Sequence, residues 1–471
     1  MFESPFAVLL VGIVFVVVTI VVLRIHAFIS LIFAAMLVGI LSPVPLDPES
    51  ALWQPVLAMR MTAEAFGKTA GSIGIIIVLA SIIGKCLLDS GAAEAITRRF
   101  LRWMGKDRAP LALLGSGYTL SRPVFFDTVF YLLVPLAKAM RLRTGTHYAF
   151  YIMAICAGAG LTHSLVAPTP GPLIMADNLH LDLGTTILAG IGFSILPGVL
   201  CGWFLSRWIS NRLDIPLRES ADFSMEEMSE LVERKDSELP PFWISILPIA
   251  LPVLLIAGAT VSNTLNETSL AAGGQGMDPM WLNLFAFAGD RHVALIVSML
   301  VAAWLLLRHK QLTPRELGIR LEPSITAAGV IILITSAGGA FGAMIRATGV
   351  ADAIRDQMGE GVSGVTLILL AFGVSSVMKI AQGSSTVSMI TASAVIYGVI
   401  QGVALPYHPV YLFLAIGFGA MVFSWMNDSG FWIISRMAGF TERETLQTWT
   451  AIFASLGIVG LVEVLIFSQL M

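Results

Sequence analysis

Long apolar runs dominate this chain, and the polar positions that interrupt them set its organisation. Apolar stretches at 6–23, 25–41, 69–88, 186–207, 243–261, 293–307, 326–345 and 451–470 approach the roughly 20 residues that a helix needs to cross a bilayer. Two further stretches are long enough but interrupted. Residues 147–176 contain Pro168-Thr169-Pro170-Gly171-Pro172, and 411–437 contain Asn427-Asp428-Ser429-Gly430. Two more, 111–140 and 365–401, are broken midway by polar residues into halves too short to span, which predicts re-entrant hairpins. The expected fold class is therefore all-α and polytopic, with about ten full spans and two hairpins.

Basic residues sort the loops. Arg98, Arg99, Arg102, Lys106 and Arg108 form one cluster, with Arg141 and Arg143 beyond the first hairpin. Arg207, Arg212, Arg218, Arg234 and Lys235 form a second, and Arg308, Lys310, Arg315 and Arg320 a third. Residues 262–290 hold no Lys or Arg. The positive-inside rule makes the clusters cytoplasmic and the bare loop external, which puts both termini on the periplasmic side. Arg60, Lys68, Arg346 and Arg355 run against this scheme, because they fall on the outer side. The polar insert 212–238 places Met225, Met228, Leu231 and Val232 at helical spacing among glutamates, as expected of a short amphipathic cytoplasmic linker.

The two halves resemble each other. Residues 75–96 match 332–354, with Gly84 on Gly342, Gly91 on Gly349, Glu94 on Asp352 and Ile96 on Ile354; 154–160 match 415–421. The opening span of the first copy runs inward and that of the second outward, so the repeats are expected to be inverted. The resulting division is 1–68, N-terminal scaffold spans; 69–210, first repeat, with hairpin 111–140 and broken helix 147–178; 211–240, linker; 241–320, central scaffold; and 321–471, second repeat, with hairpin 362–402 and broken helix 407–438. Inverted repeats with broken helices characterise many secondary transporters, whose substrate site lies near the bilayer midplane.

Composition narrows the function classes. Charged residues are 13% of the 471, against roughly a quarter in soluble proteins. This excludes an ordinary soluble enzyme, a disordered chain and a nucleic-acid binder. The near balance of 28 basic and 31 acidic residues provides no bulk field to steer a charged partner. Cys86, Cys156 and Cys201 lie far apart in apolar segments, which argues against a disulfide framework or a zinc site. The acidic first residues have no basic region before the apolar run, so they read as the start of a span rather than a cleaved signal peptide. Neither a metal nor an organic cofactor is expected.

Non-helical backbone at membrane depth is tolerated only where it is buried in protein or lines a watery cavity. Each break exposes N–H groups at the start of a half-helix, where the peptide dipoles favour an anion. Arg122 and Lys379 fall near equivalent positions of the two hairpins, and a carboxylate ligand would offset the unfavourable placement of such charges in the bilayer. Arg122 could instead pair with Asp127, and Lys379 could snorkel to the surface. The candidate substrate-binding residues are Thr119, Ser121, Arg122, Thr162, Thr169, Lys379, Gln382, Ser384, Ser385, Thr386 and Asn427. Asp127, His163 and Asp428 are the candidate proton-coupling groups, because a desolvated carboxyl or an imidazole exchanges protons near neutrality. His163 could also be a satisfied core histidine, and Asp428 a helix cap. Thr162-His163-Ser164 could hint at an intramembrane hydrolase, but neighbouring helical residues point apart and no third orienting group is evident.

These residues carry a family resemblance. Gly117-Tyr118-Thr119-Leu120-Ser121-Arg122-Pro123-Val124-Phe125-Phe126-Asp127, Thr162-His163-Ser164 with the Ala167–Pro172 run, Gln382-Gly383-Ser384-Ser385-Thr386, Asn427-Asp428-Ser429-Gly430-Phe431-Trp432 and the tail Glu444-Thr445-Leu446-Gln447-Thr448-Trp449-Thr450 resemble the signatures of the gluconate permease family. The likeness covers roughly residues 70–450. It implies proton-coupled import of gluconate or a related small hydroxy or sugar acid across a bacterial inner membrane, by a usually dimeric carrier of the ion-transporter superfamily. Some members take D-serine or other sugar acids. The sequence departs from the family's commonest gluconate-transporter wording at Ala167 and at Ser424-Trp425-Met426, positions that bear on substrate choice. The alternatives are a sodium-coupled carboxylate or D-serine carrier and, in another class, an anion channel.

Overall fold

The computed structural model describes residues 5–470, apart from 48, 106–107, 124, 146, 214, 219–237, 272, 274, 350–363, 401–404 and 427. The described residues are helical or lie in turns and connections, without a strand. The first half comprises α1 (Pro5–Val17, extended by a wider turn over Val18–Val22), α2 (Ala27–Ile40), α3 (Gln54–Asp89), α4 (Ala92–Met104), α5 (Ala109–Leu120), α6 (Phe126–Thr144), α7 (Tyr148–Leu165), α8 (Pro170–Asn178) and α9 (Leu183–Arg212). The second comprises α10 (Phe242–Ala271), α11 (Pro279–Gly289), α12 (Arg291–Lys310), α13 (Pro314–Ala347), α14 (Gly364–Gln382), α15 (Ser385–Ile400), α16 (Val410–Gly419), α17 (Ser429–Ala438) and α18 (Glu442–Leu470).

Among the described residues, 7 helical segments are long and apolar enough to cross a membrane: α3, α7 with α8, α9, α10, α12, α13 and α18. That is fewer than the ten expected. The apolar runs at 6–23 and 25–41 become helices of only 13 and 14 residues, α1 and α2. The amphipathic linker helix expected within 212–238 falls largely outside the described residues. In the other direction, α3 begins at Gln54, well before the apolar run at 69–88, with Pro55 in its first turn where the missing N–H costs nothing.

Helix starts follow local chemistry. Asp290 caps α12, accepting from the N–H of His292 at 2.9 Å and of Val293 at 3.2 Å. Burial works against this carboxylate, but those two bonds and His292 outweigh it and hold Asp290 below the usual carboxylate range. Thr313 and Glu316 form a reciprocal capping box at the start of α13.

Small residues set the helix contacts, as expected where close approach rather than water drives packing. α3 and α13, which carry the matching segments, run antiparallel: Ser81 Oγ donates to the Ser324 carbonyl at 2.9 Å, while Thr69 lies against Gly339 at the other end of the seam. α5 and α7 approach so closely that a Cβ on Gly158 would sit 2.1 Å from the Leu114 carbonyl oxygen. α14 and α16 do the same, where a Cβ on Gly419 would lie 2.5 Å from the Phe372 carbonyl oxygen. The order of elements recurs: helix, break, helix, helix, break, short helix, as α5–α8 and again as α14–α17.

The basic clusters gather at one end. Phe100 and Trp103 of α4 pack on Phe242 at the start of α10. At the end of α12, a His309 ring nitrogen lies 2.9 Å from the Glu238 carbonyl oxygen. Arg218 forms an ion pair with Glu444 at 2.6 Å at the start of α18. The basic clusters therefore share one face of the molecule.

Candidate functional site

Four helix breaks meet at one cavity of about 800 Å³. The first residues of α6 (Phe126, Asp127), α8 (Pro170), α15 (Ser385, Thr386) and α17 (Ser429, Gly430) all line it. Ala327, Val330, Ile331, Ile334 and Thr335, near the middle of α13, form an apolar wall with one hydroxyl, and Trp449 and Phe453 of α18 add an aromatic one. Trp449 packs on Phe126 at 5.1 Å and on Phe453 at 3.6 Å between ring centroids, which fixes that wall. Converging N-termini aim the positive ends of four dipoles at the same volume, although Pro170 and Pro172 leave α8 with few N–H groups to offer.

The sequence at each break explains its geometry. Gly383 adopts φ +82° and its N–H donates to the Lys379 carbonyl at 2.8 Å, closing α14 as a left-handed glycine cap. Ser384 then starts α15, its Oγ accepting from the Val387 N–H at 3.3 Å. Asp428 caps α17, with Oδ1 accepting from the Gly430 N–H at 2.9 Å. Its Oδ2 accepts from Lys379 Nζ at 2.6 Å, and the same ammonium donates to the Gly383 carbonyl. Lys379 is 1% exposed and Asp428 12%, so this ion pair is sheltered from water. One contact thus ties the end of α14 to the start of α17. Lys379 is buried and paired, not snorkelling; Asp428 serves as the cap expected of it.

The expected site residues divide into four groups. Asp127, His163, Ser384, Ser385, Thr386 and Asp428 line the cavity together. Lys379 stands immediately behind Asp428. Thr119, Ser121, Arg122, Thr162 and Thr169 are not among the lining residues. Thr162 Oγ1 donates to the Tyr118 carbonyl at 2.8 Å, Thr169 Oγ1 donates to the Val166 carbonyl at 2.7 Å, and the Arg122 guanidinium lies over the Tyr118 ring at 5.3 Å. Asn427 and the Gln382 side chain lie outside the described residues.

Several lining groups hold unused hydrogen-bonding capacity. His163 Nε2 lies 3.4 Å from Thr386 Oγ1, while Nδ1 has no partner among the described residues. Thr335 Oγ1 and Trp449 Nε1 are likewise buried without a partner. Buried polar atoms are nearly always paired, and these three unpaired ones sit in the wall of one cavity, turned away from its open space. Thr335 is missing from the expected set because a lone threonine in an apolar run reads as part of a span. Trp449 stands in one of the family-like motifs but has no titratable group to single it out.

Apolar spanning helices around a polar-lined cavity built at helix breaks define a polytopic membrane transport protein. Residues 4–470 match the GntP family permease family, and the chain belongs to that family. It is 31% identical to the gluconate permease of Pseudomonas aeruginosa, over 94% of this chain and 93% of that one. It is 30% identical to the low-affinity gluconate transporter of Escherichia coli K12, over 95% and 94%. The Gnt-II system L-idonate transporter of the same organism is 28% identical over 98% of each. In fold, the chain resembles the Alcanivorax borkumensis YdaH transporter, with a TM-score of 0.61, 13% identity and coverage of 94% of this chain and 97% of that one.

Proposed function

We propose that this chain imports gluconate or a closely related sugar acid across the inner membrane by proton symport with alternating access. The observation that carries the reading is the meeting of four helix N-termini with the Ser384, Ser385 and Thr386 hydroxyls at one cavity. A carboxylate suits the N-termini, and a polyol chain suits the hydroxyls, His163 and Trp449. The names of the relatives point to the same substrate class. Ser121 and Arg122, just before α6, join the anion's shell as the breaks rearrange. Thr162 and Thr169 hold the backbone around it, and Thr119 lies one turn before the break.

Coupling falls to carboxyl groups that face the cavity. Asp127 lies within electrostatic reach of Asp428 and Lys379, so its charge state and the ion pair respond to one another. Asp127 takes the proton, His163 relays it, and Asp428 holds the resting pair. The antiparallel course of α3 and α13 and the repeated order of α5–α8 and α14–α17 support an inverted repeat with two re-entrant hairpins. The scaffold helices α1, α2 and α10–α12 lie outside it and supply a homodimer interface.

Two experiments test this reading. In proteoliposomes, labelled gluconate is expected to accumulate under an inward proton gradient and not under a sodium gradient. Sodium-driven uptake would replace the coupling ion, and uptake without accumulation would favour a channel. Asp127→Asn is expected to abolish pH-driven accumulation while leaving gluconate exchange at equal pH; concentrative uptake by that variant would remove Asp127 from coupling. For topology, cysteines placed in 262–290 are expected to react with an impermeant maleimide in intact cells, and reaction confined to 212–238 would invert the orientation.

A further inference from the structure

A second cavity, of about 400 Å³, lies on the other side of α8. Its charged lining is Lys68 of α3, Asp177 of α8, Arg291 of α12 and Arg346 of α13. Asp177 is the only carboxylate among these residues. It is already engaged, accepting from Ser72 Oγ at 3.1 Å and lying 3.6 Å from Arg291. Lys68 and Arg346 have no carboxylate partner among the described residues. The Arg346 guanidinium is held over the Tyr397 ring at 5.3 Å, and the His180 ring stacks on that tyrosine at 4.6 Å. The cavity therefore carries a positive excess, with one guanidinium oriented by an aromatic face rather than neutralised. Such a recess concentrates small anions.

Its position connects it to the central cavity. α8 starts in the central cavity at Pro170 and ends in the second at Asp177 and Asn178. Its nine residues measure about 13 Å, at 1.5 Å per residue. One stripe of α13 joins the two: Ala327, Ile331 and Thr335 face the first cavity, and Gly339 and Ala343, each four residues further on, face the second. Arg291 opens α12, whose other end bears Arg308 and Lys310 of the basic face. The second cavity is thus at the end of the molecule away from the basic face, which is the external side on the positive-inside reading. Lys68 and Arg346 run against the positive-inside pattern there, and a binding role accounts for charges that topology alone disfavours.

We propose that this cavity is an external capture site for small carboxylate-bearing polyols, occupied before the substrate passes α8 into the central cavity. The proposal rests on the sugar-acid reading above. Arg346 and Lys68 take the carboxylate, while Ser72 and Asn178 offer polar atoms to the polyol hydroxyls.

Labelling of Ala65→Cys, a cavity-lining position one turn from Lys68 and Thr69, tests it in the purified full-length chain; the native cysteines are all buried and give little background. Gluconate is expected to slow maleimide labelling about threefold at about twice its dissociation constant, because labelling follows the free fraction. This protection should persist when the paired exchange Lys379→Met with Asp428→Asn disables the central site without stranding a buried charge, and disappear with Arg346→Gln. Arg346→Gln alone should raise the half-saturating gluconate concentration for uptake about tenfold, the loss of one charge-assisted hydrogen bond, while the maximal rate stays within about twofold. Protection that vanishes with the double variant Lys379→Met and Asp428→Asn, or is absent in a chain that takes up gluconate, overturns the capture site. Protection without uptake of any sugar acid overturns the sugar-acid reading instead, and loss of both overturns both.

Discussion

Lys379→Met is expected to abolish uptake and to destabilise the protein by about 3–5 kcal/mol, the penalty for stranding one member of a sheltered ion pair. Lys379 is 1% exposed, and its ammonium is shared between the Asp428 carboxylate and the Gly383 carbonyl. Without it, Asp428 still caps α17 but loses its counter-charge, and the last turn of α14 loses a cation from its negative end. The two breaks are then no longer tied. The double variant Lys379→Met with Asp428→Asn removes both charges and should recover most of the thermal stability without recovering transport. Thermal unfolding in detergent and uptake in proteoliposomes separate the two effects. A single variant as stable and active as the parent would show that the pair anchors nothing.

Gly158→Ala should show the second large effect. The added Cβ would stand 2.1 Å from the Leu114 carbonyl oxygen and 3.0 Å from the Tyr118 nitrogen. Both obstacles are backbone, so no rotamer change relieves the clash, and α5 must move off α7. Overpacking of this kind costs about 1–3 kcal/mol, against a gain below about 1 kcal/mol from replacing a helical glycine. Tyr118 precedes the break that leads into α6, so the displacement reaches Asp127 and uptake should fall with stability. Gly419→Ala should behave alike in the second half, whereas Gly67→Ala, with nothing within 4 Å of its added Cβ, should keep that gain and be stabilised by up to about 1 kcal/mol. Unfolding temperatures for the three variants decide the matter.

The spanning helices were legible because a run of apolar residues has one low-energy state in a bilayer. The breaks were legible because Pro168–Pro172, Gly383-Ser384 and Asn427–Gly430 cannot continue a helix within an apolar stretch. The pairing of Lys379 with Asp428 was not legible. Each residue was singled out, but sequence spacing carries no information about which charges meet across two separate breaks. The first turns of α3 were hidden for a related reason: Arg60, Glu64 and Lys68 interrupt the apolar run without interrupting the helix. Arg122 drew attention as an intramembrane charge, yet its guanidinium rests on Tyr118. A charge in the membrane is conspicuous in sequence; which wall it faces depends on how α5 packs.

The α13 wall of the central cavity has a practical consequence. Val330, Ile331 and Ile334 border the ligand space but belong to a different helix from the residues that carry its charges and caps. Exchanging isoleucine there for valine would enlarge the chamber by one carbon, and for alanine by three, without touching the charged and capping residues. On the sugar-acid reading proposed above, the chamber's size and its charged end can therefore be altered independently, which makes this wall the natural starting point for changing the length of substrate accepted.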